Sequence, residues 1–102
     1  MIIHLTKARY LRDCQFDVAF SDGRRGIADL SESLEGPIFA PLRDPNFCAR
    51  GTLDPEVGTI VWPNGADLAP EYLYFLALRD DTRLAPLFHE WGYIQEKSTA
   101  SR

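Results

Sequence analysis

The chain has 102 residues, of which 45% are hydrophobic and 25% are charged, with 11 basic and 15 acidic side chains. These values are typical of one globular domain with its own hydrophobic core, and they exclude a disordered chain or a coiled coil. The net charge of −4 disfavours a sequence-independent nucleic-acid binder, because such a protein needs a basic surface to replace phosphate counterions.

The N-terminus, the apolar runs and the cysteines together indicate a cytoplasmic protein without a membrane partner. The apolar run from Leu73 to Leu78 is far shorter than the ~20 residues that span a bilayer. The N-terminal segment lacks the apolar region of a signal peptide. Cys14 and Cys48 do not form a Cys-x-x-Cys pair, so we expect two reduced thiols, with a single disulfide left as an alternative.

Three antiparallel strands are predicted in the first third of the chain. The first mixes apolar and basic residues without a helical face, and the second alternates between apolar and polar residues. The Asp22-Gly23 pair is typical of a two-residue type I′ turn, which would place Val18 opposite Ile27 on the core face. The predicted strands are residues 3–10, 15–21 and 24–30.

Proline, aspartate and glycine divide the middle of the chain. A short turn is predicted after Ser31. Turns should also begin at Asp44 and Asp54, because each aspartate precedes a proline and can cap its own turn. We expect a second hairpin around the latter turn, where the sequence has strong β character. Its strands are residues 49–53 and 58–62.

Two helices are predicted in the last third of the chain. The first, over residues 70–79, begins with a proline and Glu71, which suit a helix N-terminus, and it is apolar on every face. One side of this long helix should pack on the sheet, and the other must meet a second element or a partner chain. A shorter helix over residues 84–91 ends at Gly92. Residues 95–102 are polar and are expected to be frayed.

The turn between the second hairpin and the first helix is the densest group of polar and aromatic residues. It could present an aromatic ring, an amide and carboxylates beside exposed backbone donors, and so form a small-molecule or enzymatic site. The same residues also suit a strand end, a turn and a helix start, and this structural interpretation is favoured. The candidate ligand-binding residues are Trp62, Asn64, Gly65, Asp67 and Glu71.

Catalytic and cofactor motifs are not recognisable in the sequence. His4 and His89 lie in no Ser-His-Asp or Cys-His context, and no nucleotide-binding glycine loop occurs. We therefore assign no catalytic residue, no metal ligand and no cofactor, and an enzymatic role is disfavoured. An accessory nucleic-acid role would depend on five basic side chains. They are Lys7, Arg9, Arg12, Arg24 and Arg25.

Several short segments together carry a family resemblance. They are Phe20-Ser21-Asp22-Gly23, Gly36-Pro37-Ile38-Phe39, Pro41-Leu42-Arg43-Asp44, and Gly58-Thr59-Ile60-Val61-Trp62-Pro63-Asn64-Gly65-Ala66-Asp67. With these segments, residues 3–78 resemble the bacterial domain of unknown function numbered 2442. The resemblance implies a small α+β fold with antiparallel strands and a helix after the Trp-Pro-Asn-Gly turn. It implies no established activity and no catalytic residue.

The same resemblance implies two settings for such a domain. Some relatives carry it ahead of a helix-turn-helix module. Others are encoded beside another small protein, which suggests a toxin–antitoxin-like pair. The segment after residue 78 is too short for a helix-turn-helix unit, so a DNA-binding role is not carried over to this sequence.

We therefore predict one α+β domain, with a core over residues 1–78 and a C-terminal helical extension over residues 79–102. An antiparallel sheet of four or five strands, in two hairpins, should be covered on one face by the long apolar helix and the short C-terminal helix. The favoured function is a non-enzymatic interaction module that binds itself as a homodimer or another small protein. The candidate interface residues are Tyr72, Phe75, Leu76, Leu87 and Trp91.

Overall fold

A computed structural model describes residues 2–31 and 36–94 of the chain. Within these ranges, antiparallel strands form a three-stranded sheet of order β1-β2-β3 and a two-stranded sheet β4-β5. The strands are β1 (Leu5–Arg12), β2 (Gln15–Phe20), β3 (Arg25–Asp29), β4 (Thr52–Asp54) and β5 (Thr59–Val61). The α-helices are α1 (Pro45–Cys48), α2 (Pro70–Leu78) and α3 (Ala85–Trp91). The predicted α+β fold is confirmed, with its strands divided between two sheets.

The turn between β1 and β2 contains the two residues with positive φ that a type I′ hairpin requires. Asp13 and Cys14 have φ values of 51° and 61°, and the strands close at the pair Arg12 and Gln15. Non-glycine residues adopt this backbone region uncommonly. No turn signal in the sequence pointed to this position.

The hairpin between β2 and β3 has a different register from the predicted one. Its turn contains three residues, because the Phe20 N–H donates to the Arg24 carbonyl at 2.9 Å and only Gly23 has a positive φ, of 91°. Val18 therefore pairs with Gly26 instead of Ile27. The prediction of a two-residue turn was wrong by one residue, and Ile27 faces solvent with 52% of its surface exposed.

Close packing of α2 beneath β3 explains why a glycine, Gly26, occupies the inner face of this strand. A Cβ atom built on Gly26 would lie 2.6 Å from the carbonyl oxygen of Ala77, so a larger residue cannot occupy this position without moving the helix. The observed register places Gly26 against the helix. The predicted register would have placed Ile27 there.

A disulfide bond joins Cys14 in the first turn to Cys48 at the end of α1. Their Cα atoms are 5.6 Å apart, within the usual range for a disulfide. This finding corrects the expectation of two reduced thiols. The cysteines are separated by 34 positions in the sequence, so only the folded chain reveals that they are neighbours.

The helix α2 is short and lies between the core and the C-terminal helix. It begins at Pro70, as predicted, but it has nine residues, so the description as a long apolar helix was wrong. Leu73 and Leu76 are buried in the core, while Phe88 of α3 covers the other side of the helix and is fully buried. The second element that an all-round apolar helix requires is therefore supplied by the same chain.

Two predictions lie outside the described residues: most of the short turn after Ser31, at residues 32–35, and the frayed tail at residues 95–102. In the part of the chain that is described, no helix has the length and apolar character needed to cross a membrane.

Candidate functional site

Trp62 was predicted to offer an exposed ring for a ligand, but it lies inside the core. Only 2% of its surface is exposed, and its indole N–H donates to the carbonyl of Cys48 at 2.9 Å. Its ring contacts Phe16 edge-on, with centroids 6.0 Å apart. A Cβ atom on Gly51 would lie 2.6 Å from this ring, so the ring fills the space beside Gly51. Trp62 therefore stabilises the fold and is not available to a ligand.

Asn64 and Gly65 form the turn that follows β5. The Asn64 side-chain amide donates to the Ile38 carbonyl at 2.9 Å, and its oxygen accepts from the Ala66 N–H at 3.1 Å. Gly65 has a φ of 87°, which glycine adopts without strain. The Asn64 side chain therefore stabilises the turn through Ala66 and connects it to the distant segment at Ile38.

The two predicted carboxylates of this region lie on either side of the start of α2. Asp67 is exposed and pairs through its backbone with Val61 in an isolated bridge. The N-cap residue of α2 is Ala69, and no side chain caps the helix at this position. Glu71 is half-buried in the first turn of the helix.

A small cleft of about 220 Å³ lies elsewhere, beside the disulfide. Its lining residues are Asp13, Cys14, Ser31, Leu42, Arg43 and Pro45. None of them was a predicted site residue. Across the described ranges, no group of three histidine, cysteine or acidic side chains is placed to hold a metal ion.

Tyr74 and Asp22 connect α2 to the turn between β2 and β3. The Tyr74 hydroxyl donates to the Asp22 carboxylate at 2.6 Å, and the backbone N–H of Arg24 donates to the same carboxylate at 2.9 Å. Burial raises the pKa of Tyr74 to about 12, and the hydrogen bond to Asp22 adds to the increase. Burial opposes ionisation of Asp22, but the bonds from Tyr74 and Arg24 outweigh it and lower the pKa of this carboxyl group.

A layer of partly exposed aromatic rings covers the outer side of α2 and α3. Tyr93 stacks on Phe75 with centroids 5.2 Å apart and contacts Tyr72 at 5.3 Å. Trp91 contacts Tyr93 at 6.3 Å, and the buried ring of Phe88 supports Phe75 from below at 5.1 Å. Each of the four outer rings keeps part of its surface in solvent. We call Tyr72, Phe75, Trp91 and Tyr93 the aromatic surface.

Tyr93 belongs to this surface although it was not among the predicted interface residues. Gly92 adopts a left-handed φ of 89° at the end of α3, and the Tyr93 N–H then donates to the Phe88 carbonyl at 3.0 Å. This is the Schellman arrangement, in which the residue after the glycine packs back on the helix. The Gly92 signal could therefore have identified Tyr93. Burial raises the pKa of Tyr93, and the nearby Glu71 carboxylate adds to the increase.

The other predicted interface residues lie in different environments. Leu76 is only 7% exposed and belongs to the core, so it contributes to no surface. Leu87 is partly buried against the core cluster. At the edge of the aromatic surface, the Arg79 guanidinium lies 5.0 Å from the centroid of the Phe75 ring.

The predicted basic residues are brought together only in part. Lys7 and Arg25 lie opposite Ala19 from its two neighbouring strands, and Arg9 lies opposite Asp17 on the same solvent face of the sheet. Asp17 forms ion pairs with Arg9 at 3.6 Å and with Arg25 at 3.0 Å. The positive charge of this face is therefore partly neutralised.

The remaining two basic residues are separated from that group. Arg24 pairs with Asp22 at 3.0 Å in the turn between β2 and β3. Arg12 ends β1 beside the turn to β2, at the opposite end of the sheet.

The fold and its surfaces define a small α+β protein with two antiparallel sheets and a helical layer that presents aromatic rings. The family model of DUF2442, described as protein of unknown function, matches residues 5–78, and the chain belongs to this family. The family resemblance seen in the sequence is confirmed, and the match ends at the last residue of α2. A comparison with curated proteins gives no match.

The fold is similar to that of a solved structure from Nitrosomonas europaea ATCC 19718, named "Putative DNA Binding Protein NE0471". The TM-score is 0.68 at 20% sequence identity, and the alignment covers 88% of this chain and 61% of the other. The present chain thus corresponds to about three fifths of that protein. At this identity the similarity establishes a shared fold.

Proposed function

We propose that this chain is a non-catalytic protein-interaction module and that its aromatic surface binds a second small protein. The observation that carries the proposal is that four aromatic rings contact one another and still keep solvent-exposed area after α3 has packed on α2. Aromatic residues are enriched at the centres of protein interfaces and supply much of the binding energy there.

The charges beside the aromatic surface indicate the chemistry of the partner. Arg79 is exposed and lies against Phe75, and Glu71 lies close enough to Tyr93 to affect its titration. A complementary partner has an apolar centre, with an acidic group facing Arg79 and a basic group facing Glu71. The family resemblance supplies the first partner to test, which is the small protein encoded beside stand-alone relatives.

The test is to purify the chain together with the product of the adjacent gene and to measure binding by calorimetry. Tyr72→Ala and Phe75→Ala should each weaken binding by about tenfold or more, because buried aromatic anchors dominate interface energetics. Val57→Ala is the matched control, because Val57 is an apolar residue with 52% exposure on the turn between β4 and β5. Thermal melts of each variant separate a binding defect from a folding defect.

Two results would contradict the proposal. One is the absence of any complex between the wild-type proteins. The other is equal binding by the wild type and by both folded aromatic variants.

A second candidate function is nucleic-acid binding by the solvent face of the three-stranded sheet. It is supported by the position of Lys7, Arg9 and Arg25 on one face and by the name of the structural neighbour. Fluorescence anisotropy with duplex DNA should then give affinity that falls steeply with salt, and Lys7→Ala should reduce the salt slope by roughly one. Absence of binding at low salt would remove this candidate.

A further inference from the structure

The strand β3 lies at one edge of the three-stranded sheet that the described residues form. It is the outer strand of its sheet, and its inner neighbour is β2. The Phe20 N–H bonds to the Arg24 carbonyl and the Leu30 N–H bonds to the Cys14 carbonyl, so the even-numbered residues of this segment face β2. Because antiparallel ladders alternate, the N–H and C=O groups of Arg25, Ile27 and Asp29 point outward. In residues 2–31 and 36–94 these groups have no backbone partner.

The same three residues carry side chains that are exposed on the solvent face. In chain order they are positive, apolar and negative. The side chain of Arg25 is 65% exposed, Ile27 is 52% exposed, and Asp29 is also exposed. The charges along the strand are therefore self-complementary. A second copy of the strand, running antiparallel to the first, would place a positive charge opposite each negative charge.

We propose that β3 pairs antiparallel with β3 of a second copy of this chain, about a two-fold axis at Ile27. Ile27 would then lie opposite Ile27 of the second copy, and each Arg25 would face the Asp29 of the other copy. Such an isologous contact is the commonest form of homodimer, and an open strand edge is a ready template for it. The result is a continuous six-stranded antiparallel sheet.

Neighbouring contacts favour this arrangement. The inner face of β3 is covered by α2, which lies against Gly26, so an incoming strand is restricted to the outward edge of β3 and its side chains to the solvent face. Arg25 contacts Asp17 at 3.0 Å, and Asp29 accepts hydrogen bonds from Ser31, so both charged groups are held at the strand. Cross-strand pairs of opposite charge stabilise a sheet, whereas like charges directly opposite destabilise it.

The first test uses charge reversal. Arg25→Asp alone, or Asp29→Arg alone, places like charges opposite each other in a homodimer, so each should weaken dimerisation by about tenfold in sedimentation equilibrium. An equimolar mixture of the two variants restores every opposite-charge pair, so native mass spectrometry should show the mixed dimer in preference to either homodimer. Arg9→Asp is the matched control, because it also removes an ion pair of Asp17 but lies on β1, which β2 separates from β3.

A second test measures proximity directly and does not depend on charge. Residues facing each other in a hydrogen-bonded antiparallel pair have Cα atoms about 5.5 Å apart, which suits a disulfide. Under mild oxidation, Ile27→Cys should form a covalent dimer much faster than Val57→Cys, although both positions are 52% exposed.

The proposal is overturned if the wild-type chain stays monomeric, if Arg9→Asp weakens association as much as Arg25→Asp, or if the two cysteine variants crosslink equally. Tyr72→Ala should leave this dimer intact, because the Tyr72 ring packs against Phe75 and Tyr93 and takes no part in the proposed pairing of β3. Failure of the dimer is therefore distinguishable from failure of the proposed partner site.

Discussion

Single polar side chains hold together the segments that carry the family resemblance. Asp22 accepts hydrogen bonds from Tyr74 and Arg24, and the buried hydroxyl of Thr59 donates to the Leu68 carbonyl at 2.6 Å. Trp62 and Asn64 likewise donate from their side chains to backbone carbonyls. A buried polar group without such a partner would destabilise the fold by roughly 1–3 kcal/mol. These residues are therefore diagnostic of the fold, and their presence does not imply a chemical activity.

Tyr74→Phe should change how stability depends on alkaline pH. The pKa of Tyr74 is raised to about 12 in the folded chain, against an ordinary value of 10.0. Between these values the unfolded chain releases the hydroxyl proton while the folded chain keeps it, so stability is full below pH 10 and falls as pH rises towards 12. Urea unfolding across this range should show a shallower fall for Tyr74→Phe than for the wild type. Equal slopes would contradict the assignment.

Trp62→Ala should destabilise the protein by about 3–5 kcal/mol, because it leaves a large cavity and removes a buried hydrogen bond. Chemical unfolding monitored by circular dichroism gives the value. Val57→Ala, at an exposed position, should remain within about 0.5 kcal/mol of the wild type. A loss below about 1 kcal/mol for Trp62→Ala would mean that the ring is exposed and would return it to the candidate ligand site.

At the scale of elements, the packing of α2 on β3 determines which strand residues face the core. The Asp22-Gly23 pair is compatible with both a two-residue and a three-residue turn, so local sequence leaves the register open. The three-residue turn places Gly26 against Ala77 and turns Ile27 to the solvent. The consequence is that Ile27 is exposed on an outer strand of the sheet.

Gly26→Ala should test this contact between strand and helix. Its Cβ would lie 2.6 Å from a backbone oxygen of α2, which cannot move aside like a side chain, so we expect a loss of about 1–3 kcal/mol. Thermal unfolding measures the loss. Gly36→Ala provides a comparison in which no atom clashes with the new methyl group. Gly36 has a φ of 92° but open space around it, so any stability that this variant loses reflects backbone strain alone. Unchanged stability of Gly26→Ala would show that α2 is not in contact with β3.

At the scale of the whole molecule, the disulfide connects the first turn of the sheet to the α1 segment. It closes a loop with a sequence separation of 34 residues. By the chain-entropy estimate, a loop of this size stabilises the fold by about 3–4 kcal/mol. The covalent link therefore supports the middle of the chain, where strands and helices are short.

Reduction of this bond should lower the melting temperature. The measurement is a calorimetric scan with and without a reducing agent, together with a titration of free thiols. The Cys14→Ser, Cys48→Ser double variant should melt like the reduced protein and should not respond to the reducing agent. Equal melting of oxidised and reduced wild-type protein would contradict the expected stabilisation.

Local features of the fold were predictable because they depend on neighbouring residues. Alternation placed β2 with its apolar residues inward, Pro70 marked the start of α2, and Gly92 marked the end of α3. Asp44 and Asp54 each accept a hydrogen bond from the backbone two residues ahead, as their turns required. Propensity, alternation and capping act within a few residues, so they can be determined from the sequence by itself.

Only the tertiary structure decided the features that join distant residues. The approach of α2 selected the register of β3, and the first turn brought Cys14 to Cys48. Packing also placed Trp62 in the core and added Tyr93 to the aromatic surface. Each of these outcomes depends on contacts between segments that are far apart in the chain, and local patterns contain no information about which of several compatible contacts has the lowest free energy.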